Sequence, residues 1–118
     1  MTVKNVALIG NPNVGKSTVF NGLTGLSQHT GNWPGKTVSL ASGTYVHRGR
    51  TFSLIDLPGI YSLMANSPEE AVTVDYLYTQ KPDVIVVVAD ATCLERNLNL
   101  ALQVSEFFCN VVLCINLL

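Results

Sequence analysis

The sequence has few residues of the kinds that form disulfides or zinc sites. Its three cysteines, Cys93, Cys109 and Cys114, are odd in number, and none are in C-x-x-C spacing. This excludes a disulfide framework, so we predict that each is a small buried side chain in a protein of a reducing compartment. The two histidines, His29 and His47, lie far in the sequence from the cysteines and from each other. A zinc site is therefore not predicted.

Excess charge and long apolar runs are also lacking. Seven basic and eight acidic residues give a formal net charge of -1, so no strong field favours nucleic acid or an acidic membrane surface. The longest apolar run, Val84 to Ala89, is far shorter than a membrane span. Lys4 and Asn5 interrupt the N-terminus, where a signal peptide needs an apolar core. Hydrophobic residues make up 47% of 118, which predicts one domain with a packed core.

One motif stands out against this background. Gly10-Asn11-Pro12-Asn13-Val14-Gly15-Lys16-Ser17-Thr18 fits G-x-x-x-x-G-K-[ST], with an apolar strand, Val6 to Ile9, before it and a helix after it. Strand, glycine-rich turn and helix N-terminus together form a phosphate cradle of backbone N–H groups. Lys16 is predicted to reach the β and γ phosphates, and the Ser17 hydroxyl to ligate Mg²⁺. The alternative is an ordinary Gly/Asn turn followed by a solvated lysine.

The rest of the chain alternates between strand and helix patterns. This order predicts an α/β fold, an open doubly wound and mostly parallel sheet with one antiparallel edge strand. Two further interpretations concern a loop and a helix face: Leu26 to Thr37 is predicted to be a long loop, and Ala71, Val74 and Tyr78 to face the sheet. The predicted strands are Val3 to Ile9, Thr37 to Val46, Arg50 to Ile55 with a hairpin turn at Gly49, Val84 to Ala89 and a buried Val111 to Ile115. The predicted helices run from the phosphate loop to about Thr24, from Pro68 with Ser67 as N-cap to before Lys81, and from Leu94 to Phe108 with Leu94, Leu98, Ala101, Leu102 and Phe108 as apolar positions.

A second candidate site element follows the strand that ends at Ile55. Asp56-Leu57-Pro58-Gly59 places an acid at the carboxyl end of a strand, where it can hold Mg²⁺ opposite Ser17. The Gly59 N–H is predicted to reach the γ-phosphate, because only glycine permits so close an approach. Thr37, in the long loop, is predicted to complete the Mg²⁺ shell in the triphosphate state. The alternative for Asp56 to Gly59 is an ordinary turn.

These motifs, with Asn116 at the end of the last strand, resemble the ordered motifs of translation-factor-class P-loop GTPases. Four sequence segments point to one particular family within this class, and the resemblance extends over essentially the whole chain. They resemble the cytosolic GTPase domain of ferrous iron transport protein B, the FeoB family. The phrases are Gly10 to Asn13, Gly31-Asn32-Trp33-Pro34-Gly35-Lys36-Thr37, Asp56 to Leu63, and Asp90-Ala91-Thr92-Cys93-Leu94-Glu95-Arg96-Asn97-Leu98.

The resemblance implies that residues 1–118 are a partial GTP-binding domain of the Ras-like P-loop NTPase fold. It implies binding of GTP or GDP with Mg²⁺, slow hydrolysis of GTP, and regulation of Fe²⁺ uptake by a membrane transport domain C-terminal to this one. That places the domain at the cytoplasmic face of the inner (cell) membrane, with these residues as a soluble part of a membrane protein. No nucleic-acid partner is expected, and the sequence leaves the oligomeric state open, a homo-oligomer included.

Site residues carry over position by position. Lys16, Asn13, Thr37 and Gly59 are the catalytic candidates, and Ser17, Thr37 and Asp56 are the Mg²⁺ ligands. Some members of the family are activated by K⁺ through a phosphate-loop asparagine, which corresponds to Asn13 here; the alternative is a turn-forming asparagine. The implied nucleotide-binding residues are Asn11, Pro12, Asn13, Val14, Gly15, Lys16, Ser17, Thr18, Gly35, Thr37, Asp56, Gly59 and Asn116.

Two positions depart from the wider GTPase pattern. Ile60 stands where Ras-type enzymes have a glutamine that orients the attacking water, so intrinsic hydrolysis is expected to be slow. Asn116 supplies only the start of the guanine-reading Asn-x-x-Asp motif, whose aspartate would be the residue after Leu118. The expectation is therefore a G domain whose C-terminal part is missing.

Two other functions remain open from the sequence. One is a soluble GTPase of ribosome or tRNA maturation, whose phosphate loop is similar. The Trp33 phrase and the lack of a basic patch argue against it. The other is a nucleotide-binding fragment that does not turn over.

Overall fold

The computed structural model describes residues 3–25, 28–32, 39–64 and 67–116. This part of the chain forms six strands and three helices, with a short 3₁₀ turn at Ala91–Cys93 between a strand and a helix. The elements are β1 (Val3–Gly10), α1 (Lys16–Thr24), β2 (Gln28–Asn32), β3 (Ser39–His47), β4 (Arg50–Asp56), α2 (Pro68–Gln80), β5 (Val84–Asp90), α3 (Leu94–Phe107) and β6 (Val111–Asn116).

The strands form one sheet in the order β2-β3-β4-β1-β5-β6. β1 pairs in parallel with β4 and β5, and β6 pairs in parallel with β5. β3 is antiparallel to both β2 and β4. The predicted doubly wound, mostly parallel α/β sheet is confirmed. Its one antiparallel strand, however, lies second from the edge, because β2 covers it.

β2 corrects the predicted loop from Leu26 to Thr37. Gln28 to Asn32 pairs with β3 in register from Gln28↔Gly43 to Asn32↔Ser39. These five residues, Gln-His-Thr-Gly-Asn, include none of the apolar residues whose alternation would indicate a strand. An edge strand can form through its backbone hydrogen bonds alone, so pattern reasoning missed it. The predicted hairpin at Gly49 is confirmed, since Arg48 (φ 51°) and Gly49 (φ 76°) join β3 to β4 as a two-residue turn with positive φ at both positions.

The side chains of β1 alternate between two cores, one on each face of the sheet. Ala7 and Ile9 are fully buried on the face that α2 and α3 cover. Val6 and Leu8 are buried on the other face, against Phe20 of α1. This central strand is apolar throughout its second half because both of its faces are covered. The packing fixes the carboxyl end of β1, where the phosphate loop begins.

Helix α2 begins as predicted, but the prediction of which of its residues face the sheet is wrong. The Ser67 hydroxyl accepts a hydrogen bond from the Glu70 N–H at 3.1 Å, the N-cap arrangement. The buried positions are Glu70, Val72, Thr73 and Leu77. Ala71 and Tyr78 are exposed and Val74 is half-buried. The buried face of α2 was assigned from its apolar residues alone, and the polar Thr73, which is completely buried, was not included.

Helix α3 and strand β6 also differ from expectation. In α3 the buried residues are Asn97, Leu100 and Val104, whereas Leu102 is 63% exposed. β6 was predicted to be buried, but it lies at the edge of the described sheet, and Val112 and Ile115 are exposed. Edge strands are covered on fewer sides than central strands, which sequence pattern alone does not reveal.

The prediction of buried cysteines is wrong. Cys93 and Cys109 are exposed and Cys114 is half-buried, and all three are free thiols. Among the helices of the described residues, none is both long and apolar enough to span a membrane.

Candidate functional site

Three predicted site elements meet at one edge of the sheet. β1, β4, β5 and β6 run parallel, so their carboxyl ends lie side by side. Asp56 is in register with Leu8, two residues before the phosphate loop, and Asn116 is in register with Asp90. The loop after β1, the Asp56 to Gly59 turn and Asn116 are therefore brought together, as expected for ligand sites in open α/β sheets.

The phosphate loop curls through two left-handed positions. Asn13 has φ 65° and Gly15 has φ 78°, and α1 starts directly afterwards at Lys16. Val14 is 3% exposed and belongs to the core on the α1 face, so it anchors the loop between these two turns. The N-terminal amides of α1 have no earlier helical carbonyl to bind, and they favour an anion at this point.

A pocket of about 340 Å³ opens at this helix terminus. Its volume lies within the range of pockets for small ligands. Asn11 is 5% exposed, and its Oδ1 has no hydrogen-bond partner within the described part of the chain. A buried oxygen of this kind is satisfied when a ligand or its water donates to it. The pocket is lined by Asn11, Pro12, Asn13, Gly15, Lys16, Ser17 and Gly59.

Lys16 and Asp56 form an ion pair beside the pocket. The Lys16 Nζ donates to Asp56 Oδ1, and the two side chains are only 13% and 17% exposed. A phosphate group entering the pocket would attract Lys16, and a divalent cation would attract Asp56. The pair therefore places one charge of each sign where a metal–nucleotide complex needs them.

The donor set suits Mg²⁺ held together with phosphate rather than a cage made only of protein ligands. Within the residues that the structure describes, no three His, Cys, Asp or Glu side chains are grouped to hold a metal. Ser17 is exposed and lines the pocket, and Asp56 lies beside the pocket in its ion pair with Lys16. One carboxylate and one hydroxyl, completed by phosphate oxygens and water, are the usual ligands of nucleotide-bound Mg²⁺.

Gly59 packs directly against the phosphate loop. A Cβ on Gly59 would lie 2.9 Å from the Pro12 backbone nitrogen, so only glycine fits here without displacing the loop. The Leu57 N–H donates to the Leu8 carbonyl at 3.2 Å, and the Ile60 N–H donates to the Gly10 carbonyl at 2.9 Å. The Ile60 side chain is fully buried in the core, so it contributes nothing to orienting a water in the pocket.

Asn116 contacts the phosphate loop from the far side of β5. Its Nδ2 donates to the carbonyl oxygens of Val14 and Gly15, at 3.2 and 3.3 Å. Its strand neighbour Asp90 accepts hydrogen bonds from the side chain and backbone of Thr92, and these hold the pKa of Asp90 below its usual value. The carboxyl ends of β5 and β6 are thus polar and hydrogen-bonded.

Thr37, Gly35 and Trp33 lie outside the described residues, so the predicted contribution of that segment stays a prediction. Thr18 is exposed in the first turn of α1 and does not line the pocket. The other predicted positions are placed together as described above.

Sequence reasoning missed three polar side chains that hold the segment after Asp56. The Thr73 hydroxyl donates to the Pro58 carbonyl at 2.7 Å. A Glu70 carboxylate oxygen accepts from the Tyr61 N–H at 3.2 Å, and the Gln103 side chain accepts from the Leu63 N–H at 2.5 Å. Glu70 and Thr73 are polar residues at buried positions of α2. This signal is recognised only when the buried face of that helix is assigned correctly.

Comparison with known proteins agrees with this geometry. Residues 4–118 match the family model described as ferrous iron transport protein B. The Fe(2+) transporter FeoB of Methanocaldococcus jannaschii is 55% identical over 101 residues, which are 86% of this chain and 15% of that protein.

Solved FeoB structures have the same fold. The crystal structure of the G domain of the T. maritima FeoB iron transporter superposes with a TM-score of 0.92 at 43% identity, covering 97% of this chain and 72% of that one. The cytosolic domain of L. pneumophila FeoB gives a TM-score of 0.93 at 40% identity, covering 98% and 51%. The chain spans about 15% of the length of the M. jannaschii relative. It belongs to the ferrous iron transport protein B family and has the fold of a FeoB G domain.

Proposed function

We propose that this chain binds and hydrolyses GTP, and that its nucleotide state regulates Fe²⁺ uptake by the transporter of which it is a part. The observation that carries the proposal is the convergence of Lys16, Asp56 and Gly59 on one pocket at the N-terminus of α1. Phosphoryl transfer needs a cationic side chain, a carboxylate and a backbone N–H that can come close to the phosphate. Family membership supports iron transport as the setting.

Each residue would have a defined task. Lys16 stabilises negative charge on the β and γ phosphates, and the Gly59 N–H donates to the γ-phosphate. Ser17, Asp56 and Thr37 would hold Mg²⁺, which supplies neutralisation of the phosphate oxygens. Because Ile60 is buried, its side chain does not orient the attacking water. Hydrolysis is therefore expected to be slow, unless backbone groups and the loop that contains Thr37 hold that water. Asn116 would contact the base side of the nucleotide.

Nucleotide binding, measured in the context of the full reading frame, tests the proposal. We expect Mg²⁺-dependent binding of GTP and GDP, much weaker binding of ATP, and slow release of phosphate from GTP. Isothermal titration and a phosphate-release assay give both quantities. Equal binding of GTP and ATP would contradict guanine selectivity, and binding with no phosphate release would favour a non-hydrolysing module. A membrane domain in the same reading frame separates a transporter from a soluble GTPase of ribosome or tRNA maturation.

Asn13 is proposed as the ligand of an activating K⁺. We expect Asn13→Gly to lower GTP turnover in K⁺ to the level measured in Na⁺, with little change in Na⁺. Glycine is the right replacement because Asn13 has φ 65°, a conformation that strains alanine but not glycine. A monovalent cation at this position would neutralise charge that develops between the β and γ phosphates. If K⁺ still accelerates the variant over Na⁺, the side chain is a turn former only.

The remaining partners follow from the same proposal. The C-terminal membrane transport domain of the same protein would receive the nucleotide signal, with this domain at the cytoplasmic face of the membrane. The oligomeric state, a homo-oligomer included, is decided by a size measurement of the full protein in detergent.

A further inference from the structure

The hydroxyl of Thr73 is placed where it controls one peptide group of the site. Thr73 lies on α2 and is completely buried. Its Oγ1 donates to the Pro58 carbonyl oxygen at 2.7 Å, across fifteen residues of sequence. A threonine inside a helix usually bonds to a carbonyl of its own helix, as Thr79 does to Asp75. Thr73 instead reaches out of its helix to the segment beside the phosphate loop.

The Pro58 carbonyl and the Gly59 N–H belong to the same peptide group. That peptide is trans, so its C=O and N–H point in opposite directions. Holding the oxygen toward α2 therefore directs the N–H away from α2. The hydrogen bond also polarises the peptide and makes its N–H a better donor.

Neighbouring backbone groups are fixed to a different element. The Leu57 and Ile60 N–H groups donate to carbonyls of β1, so both flanks of the Pro58–Gly59 peptide are attached to the sheet. Neither bond is made by the C=O or the N–H of the peptide between them. Thr73 adds a direct restraint on that peptide from the helix side, while Gly59 itself lines the pocket.

We propose that Thr73 is a positioning residue that fixes the Pro58–Gly59 peptide with the Gly59 N–H aimed at the γ-phosphate. This inference rests on the proposed function, because the γ-phosphate is the group that the N–H would meet. It makes the contribution of Thr73 specific to the triphosphate state. GDP has no γ-phosphate and gains nothing from this N–H.

Thr73→Val tests the inference, since it removes the hydroxyl and keeps the branched shape. In the full-length protein we expect affinity for a non-hydrolysable GTP analogue to fall roughly three- to tenfold, as for one lost hydrogen bond. GDP affinity should stay within about twofold of wild type by the same reasoning. Steady-state turnover should fall as well, and Thr73→Ser, which restores a hydroxyl, should recover most of both losses.

Thr24→Val is the matched control. Thr24 is also buried, and its hydroxyl donates to the Phe20 carbonyl at 2.8 Å within α1. It should lose comparable stability with an unchanged ratio of GTP-analogue to GDP affinity. A Thr73→Val protein whose ratio of GTP-analogue to GDP affinity equals that of wild type would overturn the positioning role, even if both affinities fall. Failure of the wild-type protein to bind GTP would instead refute the proposed function itself.

Discussion

Replacing Lys16 by alanine should lower GTP hydrolysis by about 10²–10³-fold, the cost of removing one preorganised donor from a phosphate or oxyanion site. The Lys16 ammonium lies at the N-terminus of α1 beside the pocket and is only 13% exposed on its side chain. Water screens a charge in such a place poorly, so its attraction to phosphate oxygens is strong. The measurement is phosphate release at saturating GTP, together with titration of GDP and a GTP analogue.

Loss of the ion pair must be separated from loss of the fold in this experiment. Lys16→Ala leaves the Asp56 carboxylate without its partner at 17% exposure, which costs some stability. Circular dichroism and thermal unfolding show whether the variant stays folded at the assay temperature. Lys4→Ala, which removes an exposed lysine from the first residues of β1, is the matched control and should keep wild-type turnover. A folded Lys16→Ala protein with full activity would remove the phosphate-site assignment.

Gly10→Ala should destabilise the protein by about 1–3 kcal/mol, the usual cost of forcing one extra group into a packed core. A Cβ at Gly10 would lie 2.7 Å from the Val88 carbonyl oxygen and 3.1 Å from Val14 Cγ2. The Val88 oxygen belongs to the backbone of β5, which is paired with a strand on each side, and it cannot rotate away. β1 must shift, and the phosphate loop that begins at its end must shift with it. Urea unfolding measures the stability change, and nucleotide titration should show weaker binding.

Gly22→Ala is the same chemical change as Gly10→Ala, but we expect it to stabilise the protein rather than destabilise it. Gly22 lies in α1, and a Cβ there would meet nothing within 4 Å. Alanine is favoured over glycine inside a helix by about 0.5–1 kcal/mol, so this variant should be more stable with unchanged nucleotide affinity. If Gly10→Ala were as stable as wild type, the close packing of β1 against β5 at this point would be wrong.

The phosphate loop and the sheet were predictable because their signals are local. Gly15 and Lys16 stand between an apolar strand and a helix, and Asp56 ends another strand, so chain order alone brings them to one edge of a parallel sheet. Hydrogen bonds such as that of Thr73 to Pro58 span distant parts of the sequence and carry no pattern of their own. β2 escaped prediction for a similar reason, since its pairing with β3 depends on backbone groups.

The errors in burial have a different cause. The orientation of α2 about its own axis is set by which of its side chains pack against the sheet. This orientation buries Thr73 and leaves Tyr78 exposed. Residue type alone predicts that Tyr78 is more buried than Thr73. Cys93 and Cys109 are exposed because each lies just beyond an end of α3, where position in the fold outweighs the preference of the side chain for the interior.

The contact between Asn116 and the phosphate loop has a kinetic consequence. One amide group bonds to the carbonyls of Val14 and Gly15, so the strand end that would read the base is joined directly to the loop that would hold the phosphates. If the chain binds GTP as proposed, release of the base would also disturb the phosphate loop, and this coupling would appear in the dissociation rate of the nucleotide.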